Sequence, residues 1–436
     1  MSEITKPIML DETGQALIEA VDRVASAIGG SKSGVIYGFH IDHSESDPDA
    51  KVTYLKDAIG MTPARMNYDT GEFDYGSWED AFFMPRPCML KSDGTVGYYL
   101  SPNNYAKKED GTTNSDVAST SYDGNAMMEW GRNGKKIWMK IVPSNDRKSV
   151  SIYIADHKAD EGFHDWAFHN KNGESVAHFY TAIYNGSVVS SKMRSISGQR
   201  VSKSLQASAE VTDAQANGST MWDIEKKADI DLINALLVLM AKSTDTQTAY
   251  GKGLCTGGTE AINDAFRTGV HNDKGLFYGT NSDAIASGSY GNAVKVFGME
   301  NWWGFQWRRY LGHIMVNGVQ KLKLTYGKED GTGCTGFNLT GADYLTEGVT
   351  PTGTTGGYID EYNFSENGML PKNASGDSTH DYCDGLWFNN TITSVPLRGG
   401  YSNVGAHCGA FCVDLNITAS SADWAFGAAL SCKPLA

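Results

Sequence analysis

From Ser33 onward, apolar positions alternate with polar ones in short runs, the period of half-buried strands. Gly34-Val-Ile-Tyr-Gly-Phe-His-Ile-Asp42 and Lys51-Val-Thr-Tyr-Leu55 read as strands, and Lys91-Ser-Asp-Gly-Thr-Val-Gly-Tyr-Tyr99 reads as a hairpin around an Asp-Gly turn. Further strands are expected at 126–130, 136–142, 150–154, 176–189 and 322–326. Helical spacing occurs in two places. In 212–218 a capped short helix ends at Gly218, and in 229–242 Ile230, Ile233, Leu236, Leu237 and Met240 form the apolar stripe of an amphipathic core helix. The first 32 residues differ: Leu17, Val21, Val24 and Ile28 lie four, three and four apart between Asp11 and Gly29. That spacing fits a helix lying on its own domain, or a short oligomerising or anchoring stalk. The division expected is 1–32 for this helix, 33–119 for a β-rich module and 120–436 for a larger domain.

Composition narrows the function classes. The 436 residues are 40% hydrophobic and 20% charged, with 49 glycines, which favours loops and turns over a helical bundle. A net charge of -14 without a Lys/Arg cluster argues against nucleic-acid and anionic-membrane partners. The longest apolar run, Ala235-Leu-Leu-Val-Leu-Met-Ala241, is too short to span a bilayer, and the start of the chain has no apolar signal core. No membrane insertion is expected. Seven scattered cysteines, at 88, 255, 334, 383, 408, 412 and 432, read as free thiols of a reducing compartment.

The most unusual stretch is the last forty residues. Between Gly399 and Ser431 there is no Lys, Arg, Glu, Gln, Met or Pro. Instead Tyr401, Asn403, Val404, His407, Cys408, Cys412, Asp414, Asn416, Ile417, Ser420, Asp423, Trp424 and Phe426 are punctuated by Gly and Ala. An Asn codon, AAC, altered freely at its two adenines gives Tyr, Ser, Asn, Val, His, Cys, Asp, Ile, Ala or Phe. It never gives Lys, Glu, Gln, Met or Trp, so Trp424 would be scaffold. The segment reads either as a displayed set of variable contacts or as a Gly-rich buried β-segment that is charge-poor by chance.

Other candidate chemistry is weaker. His164, Asp165 and His169 carry a His-x4-His spacing but no evident third ligand, so no metal is expected. His380-Asp381-Tyr-Cys383-Asp384 puts a thiol near an imidazole, though adjacency in sequence does not assign roles, and a loop thiol is the simpler reading. Trp302, Trp303, Phe305 and Trp307 suggest either a sugar-stacking platform or a packed turn, and the packed turn is favoured.

Three pieces stand in a fixed order: the short helix followed by Trp222 and the long helix; Phe297-Gly-Met-Glu-Asn-Trp-Trp-Gly-Phe-Gln-Trp307; and Arg398-Gly-Gly leading to Gly427-Ala-Ala. This order resembles the C-type lectin-type fold, an α+β fold, in its formylglycine-generating-enzyme-like branch. There a turn ending in Glu-Trp precedes an Arg-Gly-Gly strand and a terminal Gly-Phe-Arg. The resemblance extends to phage and prophage virion proteins, including variable proteins diversified by retroelements. The N-terminal half, through Tyr37-Gly-Phe-His-Ile-Asp42 and Phe83-Met-Pro-Arg-Pro-Cys-Met-Leu90, is similar to the leading part of tail-fibre-like proteins. The chain departs from the copper-dependent oxidases of this branch: Cys408 and Cys412 are four apart rather than five, and Val413-Asp414 follows in place of Arg-x-Arg. The Glu-Pro-Asn, Gln-Pro-Asp and Trp-Asn-Asp motifs of calcium-dependent lectins are missing from the sequence.

The resemblance implies a non-enzymatic phage virion adhesin, made in the host bacterial cytoplasm. Its segment 399–431 would meet a bacterial surface protein or glycan, without a cofactor. It further implies a homo-oligomer, with a trimer as the expectation, attached to other virion proteins through the N-terminus. The alternatives are a structural tail or capsid decoration protein without ligand, and a polysaccharide-degrading enzyme.

Overall fold

The computed structural model describes residues 34–218, 221–285 and 289–435, and the expected helix within 1–32 lies outside them. Strand accounts for 32% and helix for 11%, a β-rich chain with few helices, as the short alternating runs require. A four-stranded antiparallel sheet runs in the order Val52–Lys56, Ile36–Asp42, Ser149–Ala155, Trp138–Pro143. Its alternation is literal: Phe39 and Ile41, with Val150, Ile152 and Ile154 opposite, face the core.

A seven-stranded antiparallel sheet follows the order Trp222–Ile224, Leu430–Cys432, Phe179–Ala182, Gly124–Trp130, Arg86–Lys91, Val96–Ser101, Asn104–Lys108. Strands from both sides of residue 119 pair directly here, and Ile36–Asp42 pairs with Ser149–Ala155 in the first sheet. The division expected at 119/120 therefore separates neither sheet, and one apolar core runs from Phe39 to Leu415. Long-range pairing of this kind leaves no local signal in composition, which is why the polar stretch 107–121 looks like a boundary.

Two helix expectations need correction. The short helix is Ala207–Gln215, starting five residues before the Thr212 suggested by capping chemistry, and Gln206 makes no side-chain cap. The long helix is Lys227–Ala241 and is buried on every side, not amphipathic. Its polar positions are tolerated because each finds a partner. Lys227 pairs with Asp231, and Asp229 takes Lys433 Nζ at 2.7 Å and Ser431 Oγ at 3.0 Å. Asn234 receives Trp302 Nε1 at 3.1 Å and donates to the Ala410 carbonyl at 2.6 Å.

The third sheet positions the candidate site. Its order is Gly357–Tyr358, Gly385–Phe388, Val413–Leu415, Leu397–Arg398, Trp307–Arg309, Phe426–Gly427. In the central strands, alternate side chains go to opposite faces. Arg308 and Arg398, directly paired, both point inward to Glu225. Arg398 Nε and Nη2 lie 3.1 and 2.7 Å from Glu225 Oε2, and Arg308 Nη1 lies 3.1 Å from Oε1. Arg398 also donates to the Trp302 carbonyl at 2.8 Å and stacks 3.6 Å above that indole. The turn 297–307 is thus a packed turn, with Trp302, Trp303 and Phe305 fully buried. Replacing Glu225 by Ala leaves two guanidinium groups buried without their carboxylate. Urea unfolding should show a loss of about 3–5 kcal/mol, and a loss below about 1 kcal/mol, within the range of surface substitutions, would show the cluster to be dispensable.

Candidate functional site

The outer face of the same sheet is aromatic. Trp307 pairs with Phe426, Arg309 with Leu397, Leu397 with Asp414, and Asp414 with Trp387, so these side chains share the face opposite Arg308 and Arg398. Trp307 and Leu397 are buried there beneath a half-buried layer of Tyr401, Trp387, Val404, Ile417, Trp424 and Phe426. The rings form a connected surface. Tyr401 is stacked 6.2 Å from Trp307 and lies edge-on 5.8 Å from Trp424. Trp387 stands edge-on to Trp307 at 5.4 Å, while His407 stacks on Tyr358 at 4.0 Å and reaches Trp387 at 5.4 Å.

The loop carrying Tyr401 to His407 is fixed from below. It leaves the sheet through Gly399 and Gly400, with φ of 84° and 81°, a left-handed conformation that glycine adopts without strain. A Cβ on Gly400 would also meet Cys408 Sγ at 2.6 Å. Ser402 is the bolt. Its carbonyl accepts the Gly258 N–H at 2.7 Å, and its hydroxyl accepts Asn263 Nδ2 at 2.7 Å. Gly405 N–H donates to the Cys255 carbonyl at 2.9 Å, and Gln247 donates to the Cys408 carbonyl. Partners outside the segment therefore hold its backbone, while Asn403, Asn416, Ser420 and Asp423 stand exposed around the aromatic layer.

Three expected contacts lie inside instead. Cys408 and Cys412 are fully buried, so they leave the displayed set: Cys408 packs under the Gly-Gly turn, and Cys412 lies with Trp307 and Leu397 beneath the aromatic layer. Asp414 is 7% exposed, enclosed between Trp387 and Leu397 on the neighbouring strands. Tyr401, Val404, His407, Ile417, Trp424 and Phe426 are half-buried, with part of each ring or branch open to solvent. Sequence reasoning missed Trp387 and Tyr358, which come from outside the terminal segment. Trp387 carried a faint signal, an aromatic in a short strand just before the polar Asn389-Asn390.

The other candidates do not assemble into catalytic groups. Cys383 is buried and its thiol is pushed well up by desolvation, then by nearby Asp245 and Asp384. Its sulfur meets the His380 carbonyl at 3.6 Å, whereas the His380 imidazole meets Asp377 at 2.8 Å. His169 lies between Asp165 and Glu329, each at 2.9 Å, and His164 stacks on Trp166. Among the described residues no group of three or more His, Cys, Asp or Glu is placed to hold a metal ion, and no helix is long and apolar enough to cross a membrane. No family model matches the sequence, and no curated protein matches it.

Burial pushes the Asp414 carboxyl up to about 7, against one backbone N–H from Asn416 at 2.7 Å that favours the charged form. The folded state therefore keeps this proton at a pH where the unfolded chain has lost it. The stabilisation is complete below the unfolded value of about 3.9 and is lost as pH rises through about 7. Asp414→Asn should abolish a loss on the order of 1–4 kcal/mol between pH 4 and pH 8, read from urea midpoints of both proteins. A parallel pH profile in the variant would remove Asp414 from the account. Of the seven cysteines only Cys334 is not buried, so one equivalent of thiol reagent should react quickly with the native protein and the rest only on unfolding. Rapid native labelling of Cys408 would contradict the packing beneath the loop.

Proposed function

We propose that the protein is a binding module: a phage-type virion adhesin whose outer aromatic face, built on a lectin-type scaffold, meets a protein or glycan of a bacterial surface. The single observation that carries this reading is the aromatic layer itself. Tyr358, Trp387, Tyr401, Trp424 and Phe426 come from separate strands and loops yet form one half-exposed surface rimmed by Asn403, Asn416, Ser420 and Asp423. Large rigid rings offer contact area at low entropic cost, and a rim of amides and carboxylates supplies orientation. A fixed backbone with changeable side chains lets specificity change without refolding. A homotrimer joined through the N-terminal region belongs to the same proposal, since several weak sites on one particle act by avidity.

The test is binding of the full-length protein to bacterial cells, with Tyr401→Ala, Trp424→Ala and Trp387→Ala as variants. Each hot-spot ring should weaken binding by about tenfold or more, while far-UV and unfolding signatures remain. Undiminished cell binding by all three variants would place the contact surface elsewhere. Release of soluble saccharide from cell-wall polysaccharide by the pure protein would replace the adhesin with the enzyme.

A further inference from the structure

Away from the terminal segment, His169 is held by a carboxylate at each ring nitrogen. Its Nε2 lies 2.9 Å from Asp165 Oδ1, and its Nδ1 lies 2.9 Å from Glu329 Oε1. A neutral imidazole has one N–H and one lone pair, so it can donate to only one of them. Two ionised carboxylates require the imidazolium, with both nitrogens donating. Asp165 is local, four residues before the histidine, whereas Glu329 comes from a loop 160 residues later.

The seat of Glu329 is shaped for it. A Cβ on Gly173 would stand 3.3 Å from Glu329 Oε2, and a Cβ on Gly327 would overlap the same atom. The carboxylate thus lies folded over one glycine and against the other. Each side of the contact is ordered from within. In the turn 169–175, His169 bridges Ser175, and Asn170 Oδ1 accepts the Asn172 and Glu174 N–H groups at 2.9 and 3.1 Å. In the loop, Lys323 Nζ donates to the Gly327 and Cys334 carbonyls at 2.6 and 2.9 Å, and Asp330 Oδ2 accepts the Leu324 and Thr325 N–H groups at 2.8 and 3.1 Å. Turn and loop keep their own shapes, and the imidazolium joins them.

The charges around the ring come from every neighbouring segment. Lys136 reaches Asp165 at 3.4 Å, Ser175 donates to it, and His164 stands beside it, stacked on Trp166. The turn also carries Lys171 and Glu174, and the loop carries Lys328 and Asp330. Burial opposes the charge on Asp165, but the bonds from His169 and Ser175 outweigh it and hold the carboxyl down at about 2. Burial likewise opposes the charge on His169, and its bonds to Asp165 and Glu329 outweigh it, raising the imidazole above its ordinary value. The contact is therefore complete below the ordinary histidine value of about 6.5 and is lost as pH rises through the raised one.

We propose that His169 is a proton-dependent latch, which fastens the loop 327–331 to the turn 169–175 when protonated and releases Glu329 when neutral. The neutral ring keeps its one N–H for the buried Asp165, and its lone pair then faces the Glu329 carboxylate. Glu329 is the partner that leaves, because its side chain is 31% exposed and water can take over its charge. The latch also joins two sides of one concavity of about 550 Å³: Lys171 lines it from the turn, and Thr335, Gly336 and Phe337 line it from the continuation of the loop. Release at alkaline pH loosens that pair of walls.

Histidine 15N NMR on the full-length protein tests this, with the His169 signal assigned by its loss in His169→Gln. At neutral pH both ring nitrogens of His169 should carry protons, and the titration midpoint should lie above about 6.5. Glu329→Gln removes one of the two charges and should lower that midpoint by about one unit, a tenfold change in proton affinity. Amide hydrogen exchange of 326–331, corrected for the intrinsic effect of pH, should rise about tenfold above the midpoint. In His169→Gln it should be fast at every pH. A neutral His169 at neutral pH, an unchanged midpoint in Glu329→Gln, or exchange in the loop that ignores the titration would each overturn the proposal.

Discussion

Two arginines on one buried carboxylate hold this architecture in register. Glu225 directly follows the strand Trp222–Ile224, donates its N–H to the Ala429 carbonyl, and accepts the Leu311 N–H on its own carbonyl. It thus ties the seven-stranded sheet to the chain leaving Trp307–Arg309, while its side chain grips Arg308 and Arg398. Charges at this depth are costly unless paired and hydrogen-bonded, and of the two guanidinium groups only the Arg308 Nε has no hydrogen-bond partner. Arg308 also donates to Asn185 and to the Glu300 carbonyl, and Arg398 is spread over Trp302. Burial pulls Arg308 down to about 10, which still leaves it protonated at neutral pH. A slip of one residue in either strand would turn these guanidinium groups outward and the aromatics inward, so the ion cluster fixes which face of the sheet is which.

The proposed receptor face follows from that register. Once Arg308 and Arg398 are drawn inward, Trp307, Arg309, Leu397 and Asp414 must take the outer side. Arg309 does not carry its charge to solvent there, because it is buried against Glu210 with Nε 2.6 Å from Oε2. Asp414, pushed up to about 7, is half-neutral at that pH. The centre of the face is therefore poor in charge, with polar groups confined to the rim. Contact there would depend on ring area and hydrogen bonds and be little screened by salt.

Much of this was legible in the sequence, and the gaps have physical reasons. Period-two alternation located the strands around Phe39 and Ile152 because alternation is a local property. The packed turn at Trp302 and Trp303 was readable from aromatic density. The domain division was not, because the pairing of Arg86–Lys91 with Gly124–Trp130 and the docking of Leu430–Cys432 beside Phe179–Ala182 are long-range. Capping rules misplaced the short helix because Gln206 starts it without a side-chain cap. The fully buried long helix looked amphipathic because Lys227, Asp229 and Asp231 carry charges whose partners are distant or one turn away. Within the terminal segment, residue type named the candidate contacts but not their direction, and direction separated Tyr401 from Cys408.

That separation is what the proposed receptor surface requires. Besides the half-buried layer of Tyr401, Val404, His407, Ile417, Trp424 and Phe426, its positions fall into two interleaved sets. Cys408, Cys412, Asp414 and Leu415 are enclosed, and a change of volume or charge there meets packed neighbours. Asn403, Asn416, Ser420 and Asp423 are exposed, and apart from the buried Ser402 hydroxyl the loop's anchors are main-chain atoms: the Ser402 carbonyl, the Gly405 N–H and the Cys408 carbonyl. Main-chain anchors do not depend on the neighbouring side chains. Substitution at the exposed positions therefore leaves the loop in place at little cost in stability, whereas the scaffold set admits few alternatives. A surface can be rewritten residue by residue only where backbone position and side-chain identity are uncoupled in this way.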